Sequence, residues 1–210
     1  MQLRLFNGDT RLNKDELEIE MERNPVLWDK TGNPLKFDPE LIDRDGACSL
    51  TLDMDAPIGW CAKPHAPEVD LTVAGALSVG EFFSRVVAKD GVVTFLPNQL
   101  HIFSTAEYVR VPPHLACEMR PMDGRSGDFR AFDAGFIGPG WGYGKKGEGK
   151  GRPLTLEIRP TEPLYVRRNS RVANIGFERL FALPERHYES RAPKFRRDPG
   201  SQLARQFKPV

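Results

Sequence analysis

The chain has 210 residues, and its 19 Gly and 18 Pro make up about one residue in six. Because both residues interrupt helices, this content argues against a long helical bundle or coiled coil. A hydrophobic fraction of 40% and a charged fraction of 28% are typical of a folded globular protein, and the length predicts one domain. The 30 basic and 29 acidic residues leave a net charge of +1, which predicts no polyanionic partner such as a nucleic acid.

Cysteine usage and hydropathy predict the compartment. Cys48, Cys61 and Cys117 are odd in number, lie far apart and form no Cys-x-x-Cys pair, which favours reduced thiols over a disulfide framework. The first six residues lack the apolar stretch of a signal peptide, and no run of 18 apolar residues predicts a transmembrane helix. We therefore expect a cytoplasmic protein that does not associate with a membrane.

The first predicted element is a short helix over residues 13–23. Asn13 can cap its N-terminus, and Leu17 and Met21 are spaced to share one buried face. Pro25 ends the helix, because the residue before a proline is disfavoured in the helical conformation.

The chain up to residue 90 is less regular. Residues 25–46 contain three prolines and predict an irregular arm, whereas residues 48–54 alternate between apolar and polar, the pattern of a half-buried strand. Residues 55–78 show no clear period. Residues 81–89 predict a second short helix that stops at Asp90-Gly91.

From residue 92 onwards the pattern is that of short strands. Apolar runs are separated by proline, glycine or polar breaks, and turns recur every 8 to 12 residues or so, which predicts an all-β barrel or sandwich with minor helices. The runs are residues 92–96, 100–104, 108–111, 115–119, 132–137, 154–158, 164–166 and 172–183.

A glycine-rich loop, residues 138–151, contains seven of the glycines. Gly144, Gly149 and Lys150 have the spacing of a phosphate-binding P-loop, but Gly151 replaces the required Ser or Thr and no βαβ unit surrounds the segment. We therefore reject that motif and predict a mobile hairpin loop.

The sequence argues against a zinc-dependent hydrolase. His-x-Glu with Pro-Cys-x-x-Cys and His-Glu-x-x-His are both missing, and the four histidines are scattered. No Gly-x-Ser-x-Gly nucleophile elbow is present either. Hydrolytic chemistry in this chain would therefore depend on carboxylate, hydroxyl and arginine groups.

The carboxy-terminal part of the chain is basic. Residues 167–210 contain eleven basic and four acidic residues, a local charge of +7. A solvated surface and a surface that contacts phosphates both explain this excess.

Residues 122–141 combine side chains suited to a phosphorylated ligand. Arg125 and Arg130 offer planar, fork-shaped donors for phosphate, while Ser126 and Gly127 offer a hydroxyl and close approach to the backbone. The segment leads into an apolar hairpin, which is followed by a predicted strand that carries Glu157.

At this point the sequence resembles the trimeric dUTPase and dCTP deaminase family, and more closely its deaminase branch. The resemblance extends over roughly residues 92–202. The chain also resembles one half of the double-length bacterial dCTP deaminases, whose halves share the glycine-rich insertion. The matching motifs, in order, are STAEYVRVP (104–112), DGRS (123–126), AGFIGPGW (134–141), LTLE (154–157) and VANIGFERL (172–180).

The resemblance implies a β-clip, or distorted jelly-roll, fold that forms homotrimers with nucleotide sites between subunits. Residues 1–210 would be one dUTPase-like domain. Within it, residues 1–90 would form an arm and the first strands, residues 92–183 the β core, and residues 184–210 a tail that closes on the site.

It also implies roles for individual residues in a zinc-independent deamination of dCTP to dUTP and ammonia. Glu157 matches the glutamate that activates water for attack on C4 of cytosine, as a carboxylate of suitable pKa can do. Ser126 and Ala134 match the groups that position the water, and Arg130 matches the arginine that steadies the glutamate. The implied nucleotide contacts are Arg125, Ser126, Gly127, Ala134, Phe136, Ile137, Tyr188, Lys194 and Gln202.

The expected ligand is dCTP or dUTP with Mg²⁺, the metal held by phosphate oxygens and water without a protein metal site. A bound triphosphate would also balance the positive charge of the tail. Trp141 is expected to be a packing residue.

One residue departs from the family pattern at a sensitive position. Gly138 stands where relatives carry Asp in an Ile-Asp-Pro-Gly turn, close to the attacking water in dUTPases. Asp133, five residues earlier, is a possible substitute. The alternatives to a dCTP deaminase are therefore a dUTP diphosphatase, which Gly138 argues against, and a trimeric nucleotide-binding module without turnover.

Overall fold

A computed structural model describes residues 10–43, 45–55, 59–70, 72–121, 135–190 and 203–208. Two helices and eleven strands follow one another along these residues. They are α1 (Lys14–Arg23), β1 (Leu27–Trp28), β2 (Ala47–Thr51), β3 (Gly59–Ala62), α2 (Val79–Phe82), β4 (Phe83–Val86), β5 (Val92–Phe95), β6 (His101–Val109), β7 (Leu115–Pro121), β8 (Phe136–Ile137), β9 (Arg152–Ile158), β10 (Leu164–Arg167) and β11 (Arg171–Arg179).

The strands form three antiparallel sheets, so the all-β prediction is confirmed. In the five-stranded sheet, β6 pairs with β9 on one side and with β1 and β3 on the other, and β4 extends the sheet beyond β3. The four-stranded sheet has the order β2-β11-β7-β8, and β10 pairs with β5. Several paired strands, such as β2 and β11, are far apart in sequence, so non-local strand pairs dominate the fold.

One hydrophobic core joins these layers. Phe103 of β6, Phe177 of β11 and Phe95 of β5 are completely buried and belong to the same cluster. Burial of such a side chain contributes about 1.5–3 kcal/mol to stability. The core therefore ties together strands from all three sheets.

Helix α1 has the capping arrangement that its sequence predicts. The Asn13 side chain accepts a hydrogen bond from the Glu16 N–H at 3.0 Å, and the Glu16 carboxylate accepts one from the Asn13 N–H at 2.9 Å. Leu17 and Met21 are buried, as predicted. The reciprocal pair of bonds satisfies two otherwise unpaired donors at the helix start.

The helix predicted over residues 81–89 is wrong. Helix α2 ends at Phe82, and the chain continues as strand β4, which pairs with β3 from Ala62 opposite Phe83 to Gly59 opposite Val86. The pairing with β3 outweighs local helix propensity, which is weak at β-branched Val86.

Other strand boundaries also differ from the prediction. The runs at residues 100–104 and 108–111 belong to one nine-residue strand, β6, whose pairing with β9 shifts register between Ser104 and Tyr108. Strand β11 ends at Arg179, so residues 180–183 do not extend it. Strand β3 lies inside the region that has no sequence period.

The cysteines are buried and form no disulfide. Cys48 and Cys117 lie on β2 and β7, the two neighbours of β11, and burial raises the pKa of both thiols, that of Cys48 to about 12. Cys61 on β3 donates from Sγ to Gln99 Oε1 at 2.9 Å. The three cysteines are thus free thiols, as the sequence predicts.

Candidate active site

Strand β9 presents Glu157 to solvent. Leu154, Leu156 and Ile158 point into the core, and Glu157 between them is exposed. In the part of the chain that the structure describes, its carboxylate makes no hydrogen bond or ion pair. The alternation of β9 therefore leaves one carboxylate free at the surface, where it is accessible to water and to a ligand.

Two apolar side chains share the outer sheet face with Glu157. Residues directly opposite each other in antiparallel strands project to the same side. Glu157 lies opposite Ile102 of β6, which in turn lies opposite Trp60 of β3. A row of side chains thus runs across the face from the carboxylate to a partly buried indole.

The turn after β8 is built by backbone hydrogen bonds. Gly140 N–H donates to the Val111 carbonyl at 2.9 Å, and Val111 N–H donates to the Trp141 carbonyl at 2.8 Å. The side chain of Ile137 is buried in the core, while Phe136 is 39% exposed. A nucleotide contact from Ile137 would therefore involve its main chain.

Most of the remaining predicted site falls outside the described residues. The group includes the residues implied to bind the water and the phosphates, and part of the tail. These residues are Arg125, Ser126, Gly127, Arg130, Ala134, Lys194 and Gln202, together with Asp133.

The glycine-rich loop differs from the predicted hairpin. Strand β8 before the loop pairs with β7, and strand β9 after it pairs with β6. The loop therefore crosses from the four-stranded to the five-stranded sheet. Each flanking strand finds its partner elsewhere in the chain, which glycine content does not reveal.

The loop is also close-packed. A Cβ atom at Gly142 would lie 2.5 Å from the Val109 carbonyl oxygen, and one at Gly151 would lie 2.6 Å from the Tyr108 carbonyl oxygen. Both distances are far below van der Waals contact, so glycine is required where the loop crosses β6. The glycines at these positions allow two backbone segments to approach closely.

The buried side chain of Arg110 contacts the glycine-rich loop. This residue is only 7% exposed. Its Nη2 donates to the Gly147 carbonyl at 3.1 Å, and its guanidinium lies 4.4 Å from the centre of the Tyr143 ring. Burial lowers the pKa of Arg110. Sequence reasoning missed this role, although Arg110 lies within a recognised motif.

The start of the tail packs on the same loop. Tyr188 belongs to a short 3-10 turn, Tyr188–Ser190. Its N–H donates to the Pro139 carbonyl at 2.7 Å, and its ring lies 5.1 Å from that of Trp141. Trp141 is thus a packing residue, as predicted, and Tyr188 is brought to the turn that follows Ile137.

A cleft of about 280 Å³ lies beside this contact. Gly142, Gly144, Lys145, Arg152 and Glu189 line it. Arg152 and Glu157 are the first and sixth residues of β9, so the cleft lies about 17 Å along the strand from the Glu157 backbone. Two features, the carboxylate and the cleft, are therefore separated along one strand.

Residues 203–208 are anchored elsewhere. Phe207 makes edge-to-face contacts with Phe82 and Phe83, each at 5.3 Å between ring centres. The Ala76 N–H donates to the Gln206 carbonyl at 3.0 Å. This end of the chain packs on the segment around α2, an arrangement that the sequence does not predict.

Some of the basic residues after position 166 have acidic partners. Arg179 lies 3.0 Å from Glu16, and Arg168 lies 3.3 Å from Asp55. Exposed pairs of this kind contribute little to stability, but they neutralise part of the local charge of +7. Arg179, the last residue of β11, lies beside the first turn of α1, which carries Glu16.

The described residues contain no group of three or more His, Cys, Asp and Glu that could hold a metal ion. They also contain no helix with the length and hydropathy needed to cross a membrane.

Buried His101 has a structural role: its Nε2 accepts from the Leu96 N–H at 3.1 Å, and Nδ1 lies 2.9 Å from the Gln99 carbonyl.

Comparison with known proteins shows the family to which this chain belongs. Residues 29–207 match the family described as 2′-deoxycytidine 5′-triphosphate deaminase (DCD), C-terminal domain. The chain belongs to this family. The match includes β9 with Glu157, the glycine-rich loop and the turn that carries Tyr188.

Two relatives illustrate the similarity. The "dCTP deaminase, dUMP-forming" of Methanopyrus kandleri is 31% identical over 159 residues, which are 73% of this chain and 76% of the relative. The crystal structure of 2′-deoxycytidine 5′-triphosphate deaminase from Agrobacterium tumefaciens matches with a TM-score of 0.65 at 26% identity, and the match covers 81% of this chain.

The match also covers 50% of the Agrobacterium chain, so this chain spans about half the length of that solved relative. This agrees with the predicted resemblance to one half of a double-length deaminase. The dUTPase-like fold expected from the sequence is confirmed.

Proposed function

We propose that this chain hydrolyses the 4-amino group of dCTP, with Glu157 as the general acid and base. The observation that carries the proposal is the exposed carboxylate of Glu157, on a strand whose neighbouring side chains are buried. By resemblance of its sequence motif, Glu157 would correspond to the glutamate of the deaminase family. Membership of the family and the deaminase relatives support the same substrate class.

In the proposed reaction, Glu157 takes a proton from water as the oxygen attacks C4 of cytosine. The tetrahedral intermediate then receives that proton on its amino nitrogen, and the C4–N bond breaks to release ammonia. The proton of the added hydroxyl moves to N3 as the C4 carbonyl of uracil forms. Water and dCTP thus give dUTP and ammonia, with no redox change. The expected benefit of such acid–base catalysis is about 10²–10⁴-fold in rate.

The remaining site residues are assigned by the family resemblance. Ser126 Oγ and the Ala134 backbone would hold the water, and Arg130 would steady the carboxylate. Arg125 and Gly127 would bind phosphates. Mg²⁺ would enter with the triphosphate, coordinated mainly by phosphate oxygens and water.

The product can be dUTP or dUMP. The relative from Methanopyrus kandleri is named dUMP-forming, which favours additional release of pyrophosphate as the second candidate activity. Gly138 favours dUTP, since the acid of the family turn is missing. Among the described residues, a Cβ at Gly138 would meet only Phe136 Cε1, at 3.9 Å, so the Gly138→Asp variant can test whether the missing acid limits pyrophosphate release.

We also propose that the active form is a homotrimer with sites between subunits. Phe181 and Leu183, just after β11, are 87% and 71% exposed. A contiguous exposed apolar patch is typical of a surface that a partner covers, and these two side chains would belong to such a patch at the trimer interface. A second subunit would also bring further groups to the outer face that carries Glu157.

The decisive experiment compares wild type with Glu157→Gln, using Mg²⁺–dCTP and separate measurements of ammonia and pyrophosphate. Glutamine keeps the shape but cannot accept the proton, so we expect kcat for ammonia release to fall at least about 100-fold. Glu162→Gln, an exposed glutamate just after β9, is the matched control and should retain activity.

Other outcomes select the alternatives. Pyrophosphate release from dUTP without ammonia release from dCTP would indicate a dUTP diphosphatase. Nucleotide binding without either product would indicate a binding module. Full activity in Glu157→Gln would exclude Glu157 as the acid and base.

A further inference from the structure

Glu189 is bound by the backbone of the glycine-rich loop. Its Oε1 accepts from the Gly142 N–H at 3.1 Å, and its Oε2 accepts from the Gly144 N–H at 2.8 Å. Arg152 Nη1 lies 3.7 Å from Oε1. Both carboxylate oxygens are therefore engaged, in the geometry of an anion held by converging N–H groups.

The loop is shaped for this contact. Gly142 and Gly144 have φ values of 62° and 79°, a region that other residues rarely adopt. The Glu189 side chain is only 19% exposed, so water competes weakly for these bonds. A glycine-rich backbone has thus been used to bind a carboxylate of the same chain.

Neighbouring residues join the same contact. The Tyr188 N–H donates to the Pro139 carbonyl, and the Tyr188 ring packs on Trp141. A Cβ at Gly140 would lie 2.4 Å from His187 Nδ1, so the His187 ring also lies directly on the loop. Three consecutive residues therefore attach the start of the tail to the turn after Ile137.

We propose that Glu189 is a positioning residue that fixes Tyr188 against this turn, so that Tyr188 is already in place when a nucleotide binds. The effect on nucleotide affinity rests on the proposed function. The attachment itself does not, because it follows from the contacts within the chain. Glu189 would act through Tyr188 and the loop, without touching the reacting atoms.

The test uses Glu189→Gln, which keeps the length of the side chain but replaces one acceptor oxygen with a donor. One of the two N–H groups then faces another donor. The matched control is Glu185→Gln, an exposed glutamate of the same segment. Glu189→Asp keeps the charge but shortens the side chain, and is expected to behave between wild type and Glu189→Gln.

Two measurements are made on each variant. Hydrogen exchange by mass spectrometry follows the peptides that contain residues 142–144 and 188, and steady-state kinetics give KM and kcat for Mg²⁺–dCTP. We expect exchange at least about 10-fold faster in Glu189→Gln, from loss of a charge-assisted hydrogen bond. We expect KM to rise about 10-fold while kcat changes less than about threefold.

Unchanged exchange would overturn the proposal, because the attachment would not exist in solution. Faster exchange with unchanged KM would also overturn it, since the contact would then only stabilise the fold. If wild type binds dCTP without turnover, a dissociation constant replaces KM and the proposed function alone fails. If wild type does not bind dCTP, the failure appears before any variant is compared, and both proposals fall.

Discussion

Gly138 and Gly140 lie two residues apart in one turn. We expect replacement by alanine to reduce stability at Gly140 and to leave it nearly unchanged at Gly138. Gly140 has a φ of 87°, and a Cβ there would overlap the His187 ring at 2.4–2.7 Å. Gly138 lacks a positive φ, and among the described residues a Cβ there would lie no closer than 3.9 Å, to Phe136 Cε1. Gly140→Ala should cost at least about 2 kcal/mol, from the left-handed backbone and the overlap together.

Thermal unfolding measures this difference. A loss of about 2 kcal/mol lowers the Tm of a chain this size by about 4–8 °C. Gly138→Ala, the matched control, should leave Tm within about 2 °C, since small changes at unstrained sites have small effects. Equal losses in both variants would contradict the packing described for this turn.

A second prediction concerns Glu107 on β6. Its carboxylate accepts from the Thr51 N–H at 2.8 Å and from the Thr51 hydroxyl at 2.7 Å. Burial nevertheless raises the pKa of Glu107 above its usual value. The folded state therefore favours the protonated form, so this group contributes stability below the unfolded pKa and loses it as pH rises through the folded pKa.

Glu107→Gln tests this sign, because glutamine can bond Thr51 but does not titrate. We expect the unfolding free energy of Glu107→Gln, relative to wild type, to increase from about pH 4.5 to pH 8. Chemical denaturation at several pH values measures it, with Glu162→Gln as an exposed control. A difference that stays constant or decreases with pH would contradict the raised pKa.

Residues such as Glu157 and Glu189 differ in how far sequence predicts them. Glu157 lies in a strand with a clear apolar alternation and in a recognised motif, so its exposure follows from local pattern. Glu189 carries no such signal. Its role depends on where the loop after β8 crosses the molecule, and only its position beside Tyr188 hinted at a function.

At the scale of elements, the sequence predicts a helix or strand correctly where bonds between residues close in sequence stabilise it. Helix α1 is capped by its own residues, and its sequence predicts it closely. Strand β4 depends on β3, and the paired residues Ala62 and Phe83 at their nearest ends are 21 positions apart in sequence. The helix predicted there fails for that reason. The glycine-rich loop shows the same limit, since composition does not separate mobile glycines from glycines in close backbone contact.

At the scale of the whole molecule, the proposed trimer makes a prediction about mass. Light scattering of wild type should give three times the chain mass. Phe181→Asp should shift the mass towards the monomer, because a charged side chain resists burial at an interface. Its side chain is 87% exposed, so the fold of each subunit should persist.

Ile19→Asp is the control for that variant. Ile19 is an exposed apolar residue on α1, 48% exposed, and its replacement should leave the trimer intact. A monomeric wild type would contradict the trimer, and so would equal dissociation in both variants.

Labelling of the three buried cysteines can measure how often the strands around them open. Cys48 and Cys117 flank one central strand, whereas Cys61 lies in the other large sheet. An alkylating reagent in solution reaches each thiol only while the surrounding strands are separated. Equal labelling rates at all three would mean that the two sheets come apart as one unit, and unequal rates would rank them by their opening.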